Sequence, residues 1–138
     1  MVTALYIIND IDCIFKSCLI NSNDKDLTTH ELRQQVYQKM LNNENVLPKR
    51  LISYLQGQTL KEYAEHIRER KIPGNQIVLH YIAFALKKKI VTQHPFNPEE
   101  TNYYPQYDPE VQPIQFEDEL KLYAYTQGKQ LRTFPTPT

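Results

Sequence analysis

The chain has 138 residues, 41% hydrophobic and 23% charged, with a formal net charge of zero at pH 7; this is the make-up of one globular domain with its own core. A chain without net charge has no global field to attract nucleic acid or an anionic membrane, so neither is an expected partner. Two cysteines cannot build a disulfide framework, no run is long enough to span a bilayer, and the first apolar run is too short for a signal peptide and lacks a basic lead-in, so the expected setting is cytoplasmic.

An apolar run from Ala4 to Ile8 reads as a short strand or a tucked-in arm. Asp10, Ile11 and Asp12 then lead to Cys13, and Ile14, Phe15, Cys18 and Leu19 follow at helical spacing. That pattern predicts a loop, a helix start at Cys13, and a helix with one buried face ending near residues 21–24. The first turn of a helix presents unpaired N–H groups and partial positive charge, which favour a thiolate and can hold an oxyanion as it forms. The competing reading of Cys13 is a small buried hydrophobe, since free cysteines are among the most buried residues.

Thr28 and Glu31 have capping-box spacing, and Leu32, Val36 and Met40 form an apolar stripe over residues 29–42, with Glu31, Arg33, Gln34, Gln35, Gln38 and Lys39 assigned to a solvated face. Pro48 opens a short helix over 49–55 that Gly57 stops. Thr59 and Glu62 repeat the capping box ahead of Leu60, Tyr63, Ala64 and Ile67. After the break at Pro73, Gly74 and Asn75, residues 77–86 are apolar on nearly every side, which predicts a centrally buried helix. His80 within it reads as a satisfied core histidine. Lys87, Lys88 and Lys89 close that helix, and Ile90, Val91 and Thr92 read as a strand.

Residues 93–113 hold five of the nine prolines together with Tyr103, Tyr104 and Tyr107. They read as a long irregular loop whose aromatics favour partial packing. Residues 120–125 alternate as a strand, 126–129 form a turn, and 130–134 return as a hairpin partner. The fold class is α+β, with helices packed on a small, mainly antiparallel sheet that ends in a C-terminal hairpin. One domain spans 1–134, and 135–138 form a tail. The two cysteines and four histidines have no recognised metal-ligand spacing, and only three glycines occur; neither a metal nor a cofactor is expected.

In this order and spacing the chain resembles the ovarian-tumour (OTU) family of cysteine proteases, many of which are deubiquitinases, with a papain-like fold. The family motif Asp-Gly-x-Cys-Leu-Phe is matched by Asp10, Ile11, Asp12, Cys13, Ile14 and Phe15. A helix carrying Arg-x-x-Val is matched by Arg33 to Val36, with Met40 following, and the helix before a Gly-Gly turn is matched by residues 60–70. The turn, usually Trp-Gly-Gly before Glu-Leu-x-Ala-Leu-Ala, aligns with Pro73, Gly74 and Asn75 and then Val78 to Ala83; the following strand aligns with Ile90, Val91 and Thr92.

The resemblance implies Cys13 as nucleophile, oxyanion donors from the backbone of residues 10–13 with Ile11 and Asp12 in that loop, and ubiquitin or a ubiquitin-like protein as partner, with Gly74 and Asn75 in the matching turn; Tyr103, Tyr104 and Tyr107 are candidate contacts because tyrosine is enriched at interfaces. It also places a histidine at the start of the final strand, in a His-Tyr-Asp or His-Tyr-Asn pattern. There the chain departs. Gln130 stands where histidine is expected and Arg132 where the orienting Asp or Asn belongs. An amide does not protonate near neutral pH, so Gln130 cannot serve as a base. Ile11 replaces the motif glycine, and Asp12 adds a carboxylate beside the thiol, which opposes ionisation. Three readings follow. The first is an OTU-like thiol peptidase with altered or impaired catalysis, taking its base from His94. The second is a catalytically inactive OTU-like protein-binding module. The third is an unrelated helical scaffold with a structural Cys13.

Overall fold

The computed structural model describes residues 11–22, 24, 26–43, 46–127 and 130–136. The arm expected over Ala4–Ile8, Asp10, and the Gly128–Lys129 turn lie outside the described residues. Helices come first: α1 (Cys13–Ser22), α2 (Thr29–Asn42), a 3-10 helix (Lys49–Leu55), α3 (Leu60–Arg68) and α4 (Gln76–Leu86). Four strands follow: β1 (Lys89–His94), β2 (Asn97–Tyr104), β3 (Glu119–Gln127) and β4 (Gln130–Pro135).

Local chemistry sets the helix starts. Thr28 and Thr59 each complete a capping box, with Glu31 and Glu62 respectively reaching back to the cap N–H. Asn75 caps α4 by accepting the Ile77 N–H at 2.9 Å. The 3-10 helix has no cap from its own segment; the Asp108 carboxylate accepts the Lys49 N–H at 3.1 Å, which ties the long connection after β2 to it.

The sheet order is β2-β1-β3-β4, antiparallel except for the parallel β1–β3 pair. β3 and β4 form the expected hairpin, and β4 runs through Pro135, one residue farther than expected. The loop expected over 93–113 is corrected: β2 occupies 97–104 within it. Pro98 is tolerated because β2 is an edge strand, where one face of the ladder needs no donor. Within the rest of that loop Tyr107 packs edge-on to Phe84, as does Phe116 just beyond it.

α4 is the centre of the core, and Ile77 to Phe84 are all buried. α1 rests chiefly on β4 and β3, and reaches the start of α4 through Ile14 beside Gly74. A Cβ at Gly74 would stand 3.0 Å from Ile14 Cδ1 and 3.1 Å from Val78 Cβ, so this crossing needs the bare backbone.

Candidate functional site

Cys13 is the first residue of α1, and the Asp12 carbonyl accepts the Lys16 N–H at 2.8 Å to close the first turn. The amides of that turn therefore have no partner within the helix, which is the property that the sequence pattern predicted. The Cys13 side chain is 6% exposed. Its Sγ donates to the Leu131 carbonyl at 3.7 Å. A thiolate has no hydrogen to give, so this contact belongs to the protonated thiol. Below it, Thr133 Oγ1 donates to the Cys13 carbonyl at 3.0 Å and shares a hydrogen bond with Ser17 Oγ at 2.9 Å. Alternate residues of a strand share a face, so Leu131 and Thr133 are the β4 residues turned toward α1. Cys18 is fully buried and burial drives its thiol pKa upward; neither cysteine is in a disulfide.

The loop before Cys13 is pinned from two sides. Asp12 Oδ1 accepts from Arg33 Nε at 2.9 Å and lies 2.7 Å from Arg33 Nη2, while Oδ2 accepts from Arg70 Nε at 2.8 Å. Arg33 also donates to the Ile11 carbonyl at 2.9 Å and the Ile67 carbonyl at 2.7 Å, and its guanidinium lies 4.3 Å from the Phe15 ring centroid. Two sequence expectations change here. Arg33 was assigned to the solvated face of α2 but is 1% exposed. Asp12 was expected to act as bare negative charge beside the thiol, but two guanidiniums offset it. Helical periodicity could not reveal this, because the partner of Arg33 lies 21 residues away.

The four histidines sit on α2, α3, α4 and β1. His30 is exposed on α2. His66 Nδ1 bonds Gln58 Oε1 at 2.6 Å. His80 is buried as expected; Nδ1 accepts from the Gln106 N–H and Nε2 donates to the Val46 carbonyl, each at 3.1 Å, and burial lowers its pKa to about 4. His94, at the end of β1, accepts the Phe96 N–H on Nδ1 at 3.1 Å and lies against the Phe96 and Tyr125 rings. That bond uses Nδ1 as an acceptor and leaves the proton of the neutral ring on Nε2.

Gln130 opens β4, exposed, one residue from the carbonyl that the Cys13 thiol meets. Together with Gly74, Asn75, Gln56, Gln58 and Tyr63 it lines a groove of about 380 Å³. His94 and Leu131 border a second cleft of about 190 Å³. Of the three tyrosines expected to meet a partner, Tyr103 is half exposed, Tyr104 is buried, and Tyr107 packs on His80. Asp10 lies outside the described residues. Among the described residues no cluster of His, Cys, Asp or Glu is arranged to hold a metal ion. No described helix is long and apolar enough to cross a membrane.

A buried cysteine at a helix start, packed on the last strand of a mixed sheet, defines an OTU-like fold. The chain aligns over 98% of its length with an OTU domain solved in complex with ubiquitin (TM-score 0.64, 17% identity, 73% of that chain covered). It aligns over 97% with an OTU deubiquitinase from Wolbachia pipientis wMel bound to ubiquitin (TM-score 0.56, 14% identity, 94% of that chain). A viral OTU domain protease from Dera Ghazi Khan virus is similar over 97% of the chain (TM-score 0.59, 12% identity, 80% of that chain). No protein-family model and no curated protein sequence matches the chain.

Proposed function

We propose that this domain binds ubiquitin or a ubiquitin-like protein and that its thiol peptidase chemistry is impaired. The observation that carries the reading is the surrounding of Cys13. The β4 residues turned to it are Leu131 and Thr133, and the thiol spends its hydrogen on the Leu131 carbonyl. A cysteine peptidase needs an imidazole there to take and return a proton. Gln130, beside this point, can give and accept hydrogen bonds but cannot take the proton. The neighbouring groove presents the exposed Gln56 and Gln130 amides to an extended peptide, while the Gln58 and Asn75 amides are held within the domain, and on another strand Tyr103 adds an exposed aromatic.

Two assays separate binding from hydrolysis: titration with ubiquitin and ubiquitin-like proteins, and reaction with ubiquitin carrying a C-terminal electrophile. Binding should saturate and survive Cys13→Ala, and should weaken on Tyr103→Ala or Gln130→Ala. Adduct formation should be slow, and Leu131→His, on the face of β4 turned to Cys13, should quicken it. If the wild type reacts rapidly and His94→Ala stops it, the domain is an active peptidase with His94 as its base. No binding and no adduct would leave the scaffold reading.

A further inference from the structure

Arg70 sits in a backbone conformation that suits glycine. It follows α3 with φ of 58°, and its N–H bonds the Ile67 carbonyl at 3.1 Å, as at a helix C-terminus that turns left-handed. Glycine is the usual residue at such a position, because a Cβ there crowds the backbone. The arginine aims its Nε at Asp12 Oδ2, 2.8 Å away, although its side chain is 57% exposed. The Asp12 carboxylate is thereby shared between a buried guanidinium that also holds Ile11 and Ile67, and an exposed one whose placement strains its own backbone.

We infer that Arg70 is a positioning residue for Cys13: it holds the outer oxygen of Asp12 and tips the charge at the start of α1 to positive. Within this three-residue set Arg33 cancels Asp12, and the second guanidinium adds one positive charge. Both effects favour ionisation of the neighbouring thiol. Among the described residues, the other charged or titratable groups on the elements packed against α1 are Lys16 and Cys18 on α1 itself, Arg132 on β4, Glu119, Lys121, Tyr123 and Tyr125 on β3, and His30, Glu31, Tyr37 and Lys39 on α2. Neither Leu131 nor Thr133, the β4 residues facing it, titrates. The inference concerns the thiol alone and stands whether or not the domain binds ubiquitin.

The test is the titration of Cys13 followed by its ¹³Cβ chemical shift, which needs no reagent to reach a 6% exposed side chain. Arg70→Gly relieves the backbone while removing the guanidinium, and Arg70→Gln and Arg70→Lys separate shape from charge. With Gly or Gln the Cys13 midpoint should rise, so that the thiolate fraction at pH 7 falls about threefold or more; Lys should keep part of the effect. Unfolding in urea should show Arg70→Gly at least as stable as the wild type. Lys71→Gln removes a nearby charge that pairs with Glu69 instead, and should leave the midpoint in place. Three results would overturn the assignment: an unmoved midpoint in Arg70→Gly, an equal movement in Lys71→Gln, or a wild-type Cys13 that does not titrate below about pH 11. A marked loss of stability in Arg70→Gly would also overturn it, by making Arg70 a structural residue.

Discussion

Replacing Asp12 with alanine leaves the Arg33 guanidinium buried and without its counter-charge. Arg33 is 1% exposed and keeps the Ile11 and Ile67 carbonyls and the Phe15 ring, none of which carries a charge to neutralise it. Breaking one side of a buried ion pair costs about 3–5 kcal/mol. The lost contact to Arg70 adds less than about 1 kcal/mol, because that side chain is half in water. The sum is a large share of the ~5–15 kcal/mol that holds a typical domain together. Urea unfolding at pH 7, followed by far-UV circular dichroism with the slope fitted globally, should therefore show Asp12→Ala losing about 4 kcal/mol. Changing both partners, Asp12→Leu with Arg33→Met, removes the orphaned charge and should recover a substantial part of that loss. The reasoning fails if Asp12→Ala costs less than about 1 kcal/mol, or if the double variant is no more stable than the single one.

Three further outcomes are expected. His80 has a folded pKa of about 4, below the ordinary 6.5, so the unfolded chain binds the extra proton; its contribution is complete above about pH 6.5 and is lost as pH falls toward 4, by about 3 kcal/mol. His80→Gln should flatten the stability slope in that window, and an unchanged slope would show that the ring does not control it. In a disulfide-exchange assay on the native protein, Cys18, fully buried, should stay unmodified while Cys13 reacts first; the reverse order would contradict the packing of α1. Gly74→Ala should cost about 1–3 kcal/mol by pressing Cβ against Ile14 and Val78, and thermal unfolding of an unaffected variant would refute that close approach.

Elements governed by neighbouring residues were legible in the sequence. Both capping boxes and the all-round apolar α4 depend on residues a few positions apart, and the structure keeps them. β2 was not legible, because an edge strand exposes most of its residues and Pro98, Glu99, Glu100 and Asn102 carry loop chemistry. The parallel β1–β3 pairing was also hidden, since alternation marks a strand and not its neighbour. At the site, the position of Cys13 on a helix start follows from local pattern. Its partner does not, because the Leu131 carbonyl is a main-chain atom that every residue possesses. Arg33 was missed for a related reason: its charge suits a surface helix face until Asp12 is brought to it.

The bonds from β4 to the start of α1 join residues 118 and 120 positions apart. During synthesis, α1 leaves the ribosome more than a hundred residues before the strand that will cover Cys13. Until then the thiol faces the solvent or whatever chaperone holds the nascent chain. The domain can close over its cysteine only after β4 has been made, and contacts at such sequence distance are slow to form. Premature termination before Leu131 would thus release helices able to form locally, with the thiol uncovered and open to oxidation.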